Sequence, residues 1–297
     1  MVRQSRLFPA ACAAFLLTLL GNSQSFAITM TAQGGTPVGI PLSCNTYNTT
    51  GSSPVAGSMV CSAGDVFAAS GTGASDASPG HVGASATVAT TGGAAAAHVD
   101  TAAIYSDVFV FHSSDPALTN TNVALNLNVA GSMAVGGPFA FASVDLRANV
   151  NTVEVGKIFS SLSSTASASC SSSFSGGGGC TGSAFAGGSL VSAATSVPLD
   201  QPVLVQLFLA VSAGGSAAGS SANSQFGQSL DFPIGSALFI LAGGVTANAS
   251  DSFVTDNIFA PPGAATPLPA ALPLFASGLG ALGLLGWRRK KKSAVAH

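Results

Sequence analysis

A period of two in the apolar residues, with almost no helical periodicity, predicts an all-β chain. The expected fold is a β-sandwich or jelly-roll-like body over residues 28–260 with Ser/Gly/Ala-rich loops, joined to an N-terminal signal helix and a single C-terminal transmembrane helix. Three observations carry this. Val123, Leu125, Leu127 and Val129 alternate with Asn122, Asn126 and Asn128, the pattern of a strand with one buried and one wet face. No apolar stripe at helical spacing exceeds two turns before residue 270. Only 7% of residues are charged, against about 25% in ordinary domains, while Gly alone supplies 36 of 297 positions. So little charge excludes the charged kind of disorder. It also leaves no basic stripe for phosphate contacts, so no nucleic-acid partner is expected.

The elements follow in order. Arg3 and Arg6 precede an apolar run from Ala10 to Leu20 that is broken only by Thr18. Ser25-Phe26-Ala27 then places small residues at the two positions a signal peptidase reads, so residues 1–27 read as a signal peptide with cleavage after Ala27 and Ile28 as the new N-terminus. Strands are expected at 82–90, 104–112 and 122–129. Val144, Leu146, Ala148 and Val150 alternate with Asp145, Arg147, Asn149 and Asn151; the phase then slips, which predicts a turn or bulge at Asn151-Thr152. Val203 to Val211 is apolar on both faces except at Gln206, as a central strand would be, and further strands are expected at 189–197, 236–242 and 252–259. Ser160 to Gly188 and Ala213 to Ser224 are low-complexity Ser/Ala/Gly stretches with little apolar area, expected as long surface loops or flexible insertions. Residues 261–297 form the last unit: a Pro-rich spacer, a short motif at 266–269, an apolar span at 270–287 and a basic tail at 288–297.

Cys12 leaves with the signal peptide, so the mature chain keeps Cys44, Cys61, Cys170 and Cys180, an even set suited to an oxidising compartment. Three pairings are open. Proximity favours Cys44–Cys61 and Cys170–Cys180; a metal site competes, but neither pair has the C-x-x-C spacing and no His lies close by.

The search for chemistry finds little. There is no G-x-S-x-G, no H-E-x-x-H and no G-x-x-x-x-G-K-S/T. His98, Asp100, Asp107, His112 and Asp115 are the one cluster with metal-ligand chemistry, and it lacks a third spaced His. Glu154 is the only glutamate, and Tyr47, Tyr105 and Trp287 are the only Tyr or Trp residues, a poor supply of sugar-stacking platforms. No catalytic residues, cofactor or metal are therefore expected. Between residues 28 and 266 only Arg147 and Lys157 are basic against all eleven acids, leaving the body at −9 with His neutral.

The C-terminal end is the most specific feature. Thr266-Pro267-Leu268-Pro269 precedes Ala270 to Trp287, which holds no charge and spans about 27 Å as a helix at 1.5 Å per residue. Trp287 stands at the interface position, and Arg288, Arg289, Lys290, Lys291 and Lys292 follow at once as a flank that stays cytoplasmic. A Pro-x-Pro motif, a marginal membrane helix and a terminal basic cluster in this order closely resemble the PEP-CTERM protein-sorting signal, in its VPLPA variant. Leu268 stands where the family usually has Glu, and Thr266 where the variant often has Val. The resemblance covers about the last tenth of the chain. It implies export across the inner membrane of a Gram-negative bacterium and transient anchoring there through residues 270–287. Processing near the motif by an exosortase would follow, with final residence at the cell surface or outside the cell. It also implies association with exopolysaccharide and biofilm. The function expected is that of a structural or adhesive surface protein without catalysis of its own. Two alternatives stand beside it: a lectin-like glycan-binding module, and a plain single-span anchored protein.

Overall fold

Apolar side chains at every second position need a surface to be buried against, and in this chain two sheets supply it to each other. A computed structural model of the chain describes residues 25–35, 47–51, 55–63, 69–91, 96–181, 184–250 and 253–260. These residues are all-β, with no helix among them. Numbered in chain order, the first sheet contains β1 (Ser25–Gly35), β2 (Tyr47–Gly51), β6 (Ala96–Ser113), β9 (Ala140–Val150), β10 (Val153–Ser163), β11 (Ser169–Ser172), β16 (Pro202–Gly215) and β19 (Val245–Ala249). Its order is β11-β10-β9-β16-β6-β1-β2, with β19 also on β6. The second sheet contains β3 (Val55–Ala63), β4 (Ala69–Ser78), β5 (His81–Thr90), β7 (Asn120–Val129), β8 (Ser132–Gly136), β14 (Gly188–Val191), β15 (Thr195–Pro198), β17 (Ser221–Asp231) and β18 (Phe239–Ile240). It runs β14-β7-β17-β5-β4-β3, with β15 and β18 on β7 and β8 on β17. Two small hairpins, β12 (Gly179–Thr181) with β13 (Ala184–Ala186) and β20 (Val254–Thr255) with β21 (Ile258–Phe259), complete the set.

β16 takes the central place that its two apolar faces predict, hydrogen-bonded to β9 on one side and β6 on the other. Its inward residues Val203, Val205, Leu207, Leu209 and Val211 are buried and join one continuous core with Val82, Val88, Leu125, Leu127 and Leu146. An aromatic cluster forms where Tyr105, Phe109 and Phe111 of β6 meet Phe232 and Phe239. Phe109 and Phe239 meet edge to face at 5.1 Å between centroids, and Phe111 and Phe239 do so at 5.0 Å. Every strand here joins its neighbour antiparallel, and the two sheets share one buried layer, an arrangement consistent with a β-sandwich.

The turn expected at Asn151-Thr152 is present as a two-residue hairpin loop with φ of 52° and 70°, the left-handed pair that matches strand twist. The phase slip has a second cause: a bulge between Glu154 and Gly156 in the β9–β10 register. Other expectations need correction. Ser160 to Gly188 is not a long loop: β10 runs to Ser163, and β11, β12 and β13 lie within the segment. Phe174 anchors it at 9% exposure, its ring lying against Gly156, where a Cβ would collide with it. Phe185 meets Phe226 edge to face at 5.0 Å. Ala213 to Ser224 is likewise a tight return from β16 to β17, closed by Ser220 N–H donating to the Ala217 carbonyl (3.1 Å) and tied to the end of β5 by Gly219 N–H donating to the Thr90 carbonyl (2.7 Å). The single strand expected at 189–197 is two, β14 and β15. That at 236–242 shrinks to Phe239–Ile240, and that at 252–259 is the β20–β21 hairpin around Asp256-Asn257. β4 was not expected; Ala69, Gly71, Gly73 and Ala77 put so little apolar area on its inner face that alternation is faint in the sequence.

Candidate functional site

Second-sheet strands turn their even or odd residues outward in register, so cross-strand partners stand side by side on the solvent face. At one end of that sheet four of them differ in chemistry. Ser78 pairs with His81, His81 with Asp231, and Asp231 with Asn128, which carries the row across β4, β5, β17 and β7. These residues edge a cleft of about 420 Å³ whose other walls are Pro79, Gly80, Phe232, Ile234 and Phe259. Gly80 turns the chain between β4 and β5 at φ 68° and sits so close to the Phe232 and Phe259 rings that no side chain fits there.

His81 is the electrostatic centre of the row. Its Nδ1–H donates to Asp231 Oδ1 at 2.5 Å and its Nε2–H to Asp76 Oδ2 at 2.8 Å. Burial works against its charged form, but hydrogen bonds and charge from Asp231 and Asp76 outweigh that and push its pKa up to about 9. At neutral pH an imidazolium therefore ties two carboxylates together, and the trio carries a net charge of −1. Asp76 and Asp231 remain 39% and 40% exposed, so each keeps acceptor capacity toward solvent. A cleft with an apolar floor, a few convergent polar groups and a perturbed titratable residue has the composition of a small-ligand site. A second cavity, of about 260 Å³ over β5, β8 and β17, is lined by small side chains and Asn223 and holds no charged group.

The residues singled out by sequence disperse. His98 and His112 lie at opposite ends of β6, on the order of 40 Å apart at ~3.3 Å per residue. His98 pairs with Asp100 (3.0 Å) and leans on the Phe141 ring, while His112 Nδ1 pairs with Asp200 (2.5 Å). Asp107 is buried, accepting from the Tyr105 hydroxyl (2.9 Å) and from Ser250 (3.1 Å), and Asp115 caps a turn by accepting from Ala117 N–H (2.9 Å). Among the described residues no three His, Cys, Asp or Glu side chains are grouped to hold a metal ion. Cys170 and Cys180 are disulfide-bonded, with Cα atoms 5.5 Å apart, and both pack against the core. Cys61 lies in β3, while its expected partner Cys44 falls outside the described residues, so that pairing does too. Ala27 and Ile28 lie in β1, paired with Ile104 and Ala103. Thr266, Pro267, Leu268, Pro269, the span 270–287 and Trp287 to Lys292 also lie outside the described residues. Among the described residues no helix is long and apolar enough to cross a membrane.

Sequence reading missed His81, Asp76 and Asp231. The signal available was Ser78-Pro79-Gly80-His81, a turn tripeptide with a titratable residue directly after it. Its partner Asp231 lies 150 positions away, and nothing local announces it. No family model, curated protein or solved structure matches this chain.

Proposed function

We propose that the chain is an exported cell-surface or extracellular-matrix protein, structural or adhesive in role, whose β-sandwich body is delivered by a C-terminal sorting signal. The observation that carries this reading is the three-part end: Thr266-Pro267-Leu268-Pro269, the uncharged span 270–287, and the basic run Arg288 to Lys292. Signal peptidase and an exosortase are its transient partners and exopolysaccharide its surroundings; no catalysis is assigned to it. The Cys170–Cys180 bond supports an oxidising destination. Cleavage after Ala27 is compatible with the sheet, since Ile28 to Gly35 would keep their pairing with Ala103 to Ala96.

Intact-mass measurement of protein from the surface or medium tests the reading. A chain that begins at Ile28 and ends near residues 266–269 is the expected product. A chain that retains Trp287 and His297, and needs detergent for extraction, makes it a plain single-span anchored protein instead. The second reading, a glycan-binding module, is favoured by one specific observation: the row Ser78, His81, Asp231 and Asn128 along an open cleft.

A further inference from the structure

We infer that the cleft at the β4–β5 turn binds a neutral glycan, with Ser78, Asp231 and Asn128 as its hydrogen-bonding groups, Ile234 as its apolar wall and His81 as the residue that positions Asp231. The inference rests on the second reading above and names its site and ligand class.

Four features point the same way. The row spans four strands, about 14 Å at ~4.8 Å per strand, so its groups meet a ligand at successive points along its length. The groups are complementary to hydroxyls: Ser78 donates or accepts, the Asn128 amide does both, and the Asp231 carboxylate accepts from two neighbouring hydroxyls. Asn128 is exposed, and its side chain and that of Ser78 have no hydrogen-bond partner among the described residues. The second feature is order already present. His81 spends both ring N–H groups on Asp231 and Asp76, at 2.5 Å and 2.8 Å, so it has none for a ligand and instead holds the Asp231 carboxylate in one orientation. A ligand then meets an ordered acceptor and loses less affinity to freezing it.

Third, Ile234 is 69% exposed beside this polar row, with buried Phe232 and Phe259 beneath. An exposed aliphatic side chain flanking hydrogen-bonding groups suits a ring that is hydroxylated at its edge and C–H on its face. Fourth, charge selects the glycan. The Asp76–His81–Asp231 trio is −1 and belongs to a body that is −9 with every His neutral and −8 with His81 charged, so a uronate- or sulfate-bearing chain is repelled, whereas a neutral one is not.

The experiment uses the full chain purified in mild detergent, an array of neutral hexose and N-acetylhexosamine oligosaccharides beside uronate-bearing ones, and titration calorimetry on the strongest binder. Saturable binding confined to neutral oligosaccharides is expected. Asn128→Ala removes no side-chain hydrogen bond among the described residues, so it keeps the fold, and it should weaken binding at least tenfold. Ile234→Ser should weaken it several-fold, and Asp231→Asn should abolish it, with circular dichroism confirming intact strands. Lys157→Ala, on the other sheet, should change nothing. Unaltered affinity in both Asn128→Ala and Asp231→Asn would place the glycan elsewhere and overturn the site while the glycan-binding reading stands. Flat responses across the array overturn both. Preference for uronate-bearing chains overturns the charge argument. None of these outcomes bears on export, which the mass measurement tests separately.

Discussion

The outer faces of the two sheets are built by the same alternation and put to different use. On the first sheet, the body's only basic residues between 28 and 266 stand as direct cross-strand partners, Arg147 on β9 and Lys157 on β10. Like charges directly opposite one another are unfavourable, and the face answers locally. Arg147 forks onto Asp145 through Nε (3.0 Å) and Nη2 (2.5 Å), lies 4.0 Å from Glu154, and stacks over Phe208 at 5.7 Å. Its charge is consumed within the sheet. On the second sheet the imidazolium of His81 is equally well paired, but the groups around it open onto a cleft. On the first sheet the charges close on one another, whereas on the second the ordered carboxylates stand at an opening.

The same substitution on each face should separate the two most strongly. At Gly83 on β5 a Cβ would sit 2.5 Å from Asp76 Oδ1 and 2.6 Å from the Gly227 carbonyl, and backbone cannot yield cheaply. Gly83→Ala should therefore cost about 2–3 kcal/mol in chemical denaturation and loosen the His81 clamp. The next effect is on pH. A histidine whose pKa is raised in the fold stabilises it fully below the unfolded value of 6.5, and that contribution is lost as pH rises through about 9. Stability should therefore fall by about 2 kcal/mol from pH 6.5 to beyond 9, a value reduced for screening at the part-exposed carboxylates. His81→Gln should flatten that slope, and a slope that survives the substitution would assign it to other groups.

On the first sheet, Asp145→Asn leaves Arg147 without its bidentate partner. Asp145 is buried at 7% exposure but Arg147 is not, so the cost should be about 1–2 kcal/mol, smaller in high salt. The smallest effect is expected at Gly214→Ala. There a Cβ would also collide with a neighbour, the Phe141 ring, but that ring is 39% exposed and can swing outward, so about 0.5 kcal/mol is expected. Equal costs at Gly83 and Gly214 would erase the distinction drawn between a face that can give and one that cannot.

Much of the strand pattern was readable in the residues. β7, β9 and β16 announce themselves through Val and Leu at every second position, and the left-handed turn at Asn151-Thr152 through a break in that phase. What escaped was structure made from small residues. β4 and the segment from Ser160 to Gly188 bury Ala, Gly and Ser, whose local signal is that of a loop. The latter is held in place by single large side chains, Phe174 in the lee of Gly156 and Phe185 against Phe226, together with the Cys170–Cys180 bond. The residues of the one metal-type cluster stand apart for a related reason. His98 and His112 share a strand but not a place on it, because an extended chain carries them apart at ~3.3 Å per residue.

The sequence by itself determined the all-β class, the central position of Val203 to Val211, and the closeness of Cys170 to Cys180. Each depends on side-chain type at short spacing, where period two or a ten-residue separation already implies geometry. Only the tertiary structure decided which outward residues stand together. Ser78, His81, Asn128 and Asp231 come from four strands, and their meeting depends on register, on the bulge between Phe226 and Leu230 that readjusts β17, and on the other edge of β17 passing from β8 to β7 while it stays paired with β5. Register is fixed by the burial of whole strands against the opposite sheet, a sum over the core that no local stretch of the chain contains.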